Sequence, residues 1–203
     1  MPKVDEVGIV ANGIGFAVPA PGASAVYLGL DPGVSGGLAG IGPGGVSAIK
    51  MPPDESSIWA WIHAMVGDDW YLDSPPVYAV LEQVQGWIGG RGQEGRAQGG
   101  QPGSAMFKFG QSYGTLRGML TAAGLIEGTN YWTIVPKVWQ RKLGVKPRDA
   151  KGGESKEDYK RRLRALAQDL MGILFPQEVA PTLGTADALL LAYYCKLIVE
   201  ESR

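Results

Sequence analysis

The sequence predicts an α/β fold: a mixed five-stranded central sheet flanked by helices. Three observations predict it. Short apolar runs at 26–31, 37–42 and 45–50 are separated by Gly-rich turns and read as an antiparallel meander. Two more strand-like runs, 77–84 and 131–136, alternate with segments of helical spacing. A meander that continues into a βαβα run demands antiparallel and parallel pairing in one sheet, with helices on its faces.

Each element has its own signal. In "VYLGLD" (26–31), Val26, Tyr27, Leu28 and Leu30 supply the apolar strand and Asp31 ends it. Gly33, Gly36 and Gly37 lie in and after the turn into 37–42, and "GPGG" turns the chain into "GVSAIK" at 45–50. "SSIWAWIHAMV" (56–66) has a serine cap and helical spacing of Ile58, Trp61, Ile62 and Met65. "VYAVLEQV" (77–84) is the fourth strand. Residues 106–125 form a helix with a stripe of Leu116, Met119, Leu120 and Ala123 and a C-terminal cap at Gly124. Proline ends the fifth strand, "YWTIVP" (131–136). Ser155 and Asp158 open a helix in the manner of a capping box. That helix places Leu163, Leu166 and Leu170 inside and Lys160, Arg161 and Arg164 outside. The last helix starts near Thr185 and carries Leu189, Leu190, Tyr193 and Leu197.

The 203 residues, 45% of them hydrophobic, suit one domain with a full core, spanning 26–203. Residues 1–25 are expected as a flexible N-terminal extension. Asp5 and Glu6 spoil a basic leader there, and Asn12, Pro19 and Pro21 interrupt the apolar run. Residues 86–105 are so rich in Gly and Gln that a mobile loop is expected. No segment is long and apolar enough to span a membrane. The single cysteine, Cys195, excludes an intrachain disulfide and reads as a small buried hydrophobe. One histidine, His63, cannot build a zinc site with one thiol.

Net charge is -1, but it is unevenly spread. Residues 137–164 hold eleven Lys/Arg against four Asp/Glu, leaving eight basic and sixteen acidic residues elsewhere. A concentrated basic region on an acidic chain is either a footprint for a polyanion or a solvated helix face.

Three acids share one kind of placement. Asp31 ends the first strand, Glu82 follows the apolar "YAVL", and Asp187 lies in the first turn of the last helix. Singly, each has a structural reading: a turn residue, an edge residue, an acid favoured by the helix dipole. Converging at one end of the sheet, they would repel unless cations neutralise them. Such hard oxygen donors select Mg²⁺ or Mn²⁺, and a pair of these ions can drive phosphodiester hydrolysis.

"GLDPGVSGGLA", "LEQV", "FKFGQSYGTLRGML", "VPKVWQRKLGV", "SKEDYKRR" and "TADALLLAYY" occur in this order across residues 26–198. The ordered set resembles the RuvC-type Holliday-junction resolvases of the ribonuclease H-like superfamily, nearest the phage and chloroplast branch. The resemblance implies a ribonuclease H-like fold and a homodimer that binds a four-way DNA junction and nicks two opposed strands. It implies Asp31, Glu82 and Asp187 as catalytic metal ligands, with Mg²⁺ or Mn²⁺, two ions per site, as cofactor. The family usually carries a fourth acid or histidine three or four residues before the last ligand; here Leu183 and Gly184 stand there. A cytoplasmic or virus-encoded intracellular setting is expected, with an organelle also open.

The basic segment supplies Lys137, Arg141, Lys142, Lys156 and Arg161 as candidate phosphate contacts. Lys142 and Lys137 are also candidates for stabilising transition-state charge. Ser35, Gln83, Lys108 and Gln111 are further candidate DNA contacts, and Gln85 and Arg91 extend them into the Gly/Gln segment. Phe107 and Phe109 either stack on bases or anchor their helix; Trp139 reads as core. Two other readings compete. A non-catalytic junction binder fits the absent fourth ligand. An actin-like phosphotransferase fits "GLDPGVSGG", but such folds need a second domain and a second phosphate loop.

Overall fold

The computed structural model describes residues 25–67, 75–83, 103–149, 151–174 and 180–202. The expected extension (1–25, apart from Ala25) and residues 86–102 of the expected loop lie outside them. So do the candidate contacts Gln85 and Arg91.

The sheet contains β1 (Val26–Asp31), β2 (Gly37–Gly42), β3 (Gly45–Lys50), β4 (Val77–Glu82) and β5 (Tyr131–Ile134) in the order β3-β2-β1-β4-β5. β1, β2 and β3 pair antiparallel, whereas β4 pairs parallel with both β1 and β5. This is the mixed five-stranded sheet that the turn signals and the βαβ spacing predict. The helices among the described residues are α1 (Glu55–Val66), α2 (Gly103–Ala122), α3 (Pro136–Lys142), α4 (Lys156–Leu174) and α5 (Ala186–Glu201).

Period-two alternation divides each strand between two cores. Leu28, Leu30, Leu38, Ala79 and Leu81 pack with Ile58 and Ile62 of α1 and Leu116 and Leu120 of α2. On the opposite face Tyr27, Ile41, Tyr78, Val80 and Trp132 pack with α4 and α5. Tyr27, Tyr78 and Trp132 form a stacked row there, with centroids 6.2 and 6.3 Å apart.

The α5 helix is buried over most of its length, from Ala186 to Val199. Its backbone rests directly on β1 at Gly29, where a Cβ would lie 2.1 Å from the Ala188 carbonyl oxygen and 2.2 Å from Ala192 N. Only glycine permits that approach.

Several boundaries differ from the sequence expectation. The N-cap of α1 is Asp54, whose Oδ1 accepts from Ser57 N at 2.8 Å, so the helix starts before the expected serine cap. α2 begins at Gly103, inside the segment expected as loop. Pro136 does end β5, but it also opens the unanticipated helix α3, since proline suits a first helical turn. The box at α4 is present: Ser155 Oγ accepts from Asp158 N at 3.0 Å. Cys195 is buried, and burial pushes its thiol well up. Among the described residues no helix is long and apolar enough to cross a membrane.

Candidate active site

The register of β1 and β4 pairs Leu30 with Leu81, so Asp31 and Glu82 are the next residues on neighbouring parallel strands. Adjacent strands run about 4.8 Å apart. Alternation turns both acids to the face covered by α4 and α5. Because α5 crosses β1 at Gly29 through Ala188, the preceding residue, Asp187, arrives at the same end of the sheet. Three elements thus bring three carboxylates to one end of the sheet.

Asp31 is only 8% exposed, and the Asp187 side chain 15%. Asp31 and Glu82 lie close enough for each to act on the other's carboxyl. Burial, then the charges of Glu82 and Asp187, raise the Asp31 carboxyl well above its ordinary range. Burial pushes Glu82 up to about 7, opposed by a hydrogen bond from Trp139. Burial also raises Asp187, opposed by Lys160. A nearby cation favours the charged form of such carboxyls.

The cation the protein itself supplies is Lys160, whose Nζ lies 3.5 Å from Asp187 Oδ2. Sequence spacing placed Lys160 outside α4; its side chain is 37% exposed, yet its ammonium reaches Asp187. Residues 160, 163, 167 and 171 follow one helical face, and Leu163, Ala167 and Met171 on it are buried. The second missed partner is Trp139. It is fully buried, as expected of a core residue, yet its Nε1 donates to Glu82 Oε1 at 2.9 Å. The signal was in the chain, since a buried indole N–H needs an acceptor.

Lys142 is not at this site. Its Nζ pairs with Glu201 Oε2 at 2.6 Å, at the far end of α5. Fourteen residues separate Glu201 from Asp187, roughly 21 Å of helix. The α3 helix, absent from the sequence reading, carries Lys142 away from the acids.

The donor set suits a hard divalent ion: three carboxylates, with Asp187 Oδ1 buried and lacking any hydrogen-bond partner. Among the described residues, however, no three His, Cys, Asp or Glu side chains stand at ligand spacing around one point. Two of the acids have protein partners instead: Glu82 accepts from Trp139, and Asp187 faces Lys160. Leu183 and Gly184 add no oxygen, and the hydroxyls of Thr182 and Thr185 are bonded to each other at 3.1 Å.

Around the acids the remaining candidates separate into groups. Ser35 is exposed in the turn after Asp31. Gly33 in that turn has φ 108° and accepts no side chain, because a Cβ would meet the Phe109 ring at 2.8 Å. Phe109 therefore anchors the turn, while Phe107 is 72% exposed. Lys108 and Gln111 line a cavity of about 370 Å³ with Gly33 and Val34. Gln83 is exposed at the end of β4. Lys137 and Arg141 line a larger cavity, about 1070 Å³, with Lys146, Arg148 and Tyr159. Those four cations have no ion pair among the described residues. Lys156 is exposed at the start of α4, and Arg161 pairs with Glu157 and Asp158 of its own helix.

No protein-family model and no curated protein matches the chain. Among solved structures it is similar to Thermus thermophilus RuvC in complex with a Holliday junction substrate. The identity is 15% and the TM-score 0.50, covering 87% of this chain and 96% of that one. A second structure of T. thermophilus RuvC matches at 16% identity and TM-score 0.45, with the same coverage. At such identity the likeness is one of architecture. The sheet order, the mixed pairing and the first match together give this chain the ribonuclease H-like fold of T. thermophilus RuvC.

Proposed function

We propose that the chain is a structure-selective endonuclease that resolves four-way DNA junctions by paired, divalent-metal-dependent phosphodiester hydrolysis. One observation carries the proposal: Asp31, Glu82 and Asp187, from three separate elements, converge at the end of the sheet beside Lys160. Support for the substrate comes from the fold neighbour, T. thermophilus RuvC, whose structure holds a Holliday junction.

Asp31, Glu82 and Asp187 would hold the Mg²⁺ or Mn²⁺. A bound ion of this kind supplies Lewis acidity and an acidified water at neutral pH. Trp139 orients Glu82 through its indole N–H, and the Gly33 turn, braced by Phe109, sets where Asp31 ends its strand. Lys137 and Arg141, with Lys146 and Arg148, form a cationic surface that fits the phosphate backbone. Two copies acting on opposed strands match the two-fold symmetry of a junction, so the working unit is proposed as a homodimer.

The test is direct. Purified protein with Mg²⁺ or Mn²⁺ and a synthetic four-way junction is expected to give paired, ligatable nicks. Asp31→Asn is expected to bind the junction without cutting it. Equal cutting of linear duplex defeats junction selectivity. A second reading, a junction binder without catalysis, draws on the lack of a ready ligand cage among the described residues. Junction binding with no cleavage across Mg²⁺, Mn²⁺ and Ca²⁺ would favour it.

A further inference from the structure

We infer that Glu154 and Arg162 are positioning residues: their ion pair clasps the chain ahead of α4, so that Lys146 and Arg148 already stand in place when a DNA backbone arrives. The inference rests on the phosphate-binding surface proposed above and adds the device that orders it.

Arg162 lies in the basic segment, yet its guanidinium is used inside the protein. Nε donates to Glu154 Oε1 at 3.2 Å and Nη2 to Glu154 Oε2 at 3.3 Å. Nη1 donates to the Lys146 carbonyl at 3.0 Å, and Nη2 also to the Pro147 carbonyl at 3.5 Å. Four of the five guanidinium N–H donors are thereby committed. The guanidinium carbon lies 5.0 Å from the centroid of the Tyr159 ring, one turn earlier on α4, and Tyr159 is a wall of the basic cavity. A planar fork serves a carboxylate and two carbonyls at once, which a lysine ammonium does not reproduce.

Glu154 closes the other end. Its Oε2 also accepts from Asp149 N at 2.8 Å, and its own N–H donates to the Asp149 carbonyl at 2.9 Å. Asp149 Oδ1 in turn accepts from Gly152 N at 2.7 Å. Bonds to residues 146, 147 and 149 therefore bracket Arg148. Residues 145–149 belong to neither helix nor strand, so these side-chain bonds supply the order that a ladder would give elsewhere.

A lysine and an arginine on an unsupported segment must be ordered at the moment of binding, and that cost subtracts from affinity. The clasp shifts the cost to folding. The pair itself is neutral and adds nothing to the net attraction for phosphates; Glu154 taken alone repels them. Charge and positioning thus predict opposite signs for the loss of Glu154.

Fluorescence anisotropy on a synthetic four-way junction, with full-length protein in EDTA, separates the two. Glu154→Ala is expected to weaken binding about tenfold and to lower the salt slope by about 2, as Lys146 and Arg148 leave the phosphates. Arg162→Lys, which keeps the charge, is expected to do the same. In a Lys146→Ala/Arg148→Ala background, Glu154→Ala is expected to change affinity less than about twofold, because the groups it positions are gone. Without DNA, trypsin is expected to cut after Arg148 faster in both clasp variants than in wild type. Thermal melts establish that each variant is folded, and Glu154→Gln replaces the alanine variant should that one not fold. Tighter or unchanged binding by Glu154→Ala, or an equal loss in both backgrounds, overturns the inference, while junction nicking by wild type in Mg²⁺ leaves the nuclease reading standing. Wild type that binds no junction removes both.

Discussion

The indole Nε1 of Trp139 donates to Glu82 Oε1 at 2.9 Å, joining the buried core under α3 to the acid at the end of β4. Removing that donor leaves a desolvated carboxylate short of a partner, a cost of about 1–3 kcal/mol. Trp139→Phe is therefore expected to lower stability by about that amount and to lower junction nicking about tenfold or more. Urea unfolding and single-turnover cleavage check the two effects. A variant that loses stability but cuts at the wild-type rate would reduce Trp139 to a packing residue.

Glu82 gives the stability a pH dependence of definite sign. Its carboxyl is raised from an ordinary 4.5 to about 7, so the folded state holds its proton more tightly than the unfolded chain. The associated stability is fully present below about pH 4.5 and is lost as pH rises through about 7, on the order of 3 kcal/mol. Raised Asp31 and Asp187 act in the same direction. Urea midpoints are expected to fall between pH 5 and pH 8 and to recover at pH 8 when Mg²⁺ is added. Glu82→Gln is expected to flatten the slope and abolish nicking. An unchanged slope in that variant would mean that another group titrates.

The basic cavity predicts a salt signature. Lys137 and Arg141 contribute to junction affinity through phosphates in the proposed complex, each adding about 0.9 to the slope of log affinity against log salt. The double alanine variant is expected to lose about 2 from that slope and to weaken all junction sequences alike. Fluorescence anisotropy at several salt concentrations measures this. An unaltered slope would move the DNA surface elsewhere.

Gly29→Ala is expected to be among the most damaging small changes in the chain. Its methyl would sit 2.1 Å from the Ala188 carbonyl oxygen, and backbone cannot yield as a flexible side chain can. The loss is expected to reach about 3 kcal/mol, the upper end of overpacking costs. Mn²⁺ binding should weaken in parallel, because lifting α5 carries Asp187 away from Asp31 and Glu82. Thermal melts and Mn²⁺ titration report the two effects.

The strands and the acid triad were legible because they follow from local rules. Continuous apolar runs marked β1 and β4, and an acid at the end of each was conspicuous against its neighbours. Even the shared face of Asp31 and Glu82 follows from parity once the Leu30–Leu81 register is known. The partners of those acids were not legible, because they depend on how helices sit on the sheet. Lys160 belongs to a basic flank in sequence, and its side chain, though 37% exposed, reaches Asp187. Lys142 sits in the same basic segment, yet α3 directs it to Glu201. Trp139 announced burial correctly while its hydrogen bond to Glu82 depended on tertiary placement.

The direct seating of α5 on the β1 main chain at Gly29 has an evolutionary corollary. No intervening side chain acts as a spacer there, so the distance between the strand acids and the helix acid is set by peptide dimensions rather than by residue size. Core residues elsewhere can change size without retuning that gap. What such drift cannot touch is the one position where a hydrogen must stand in place of a methyl.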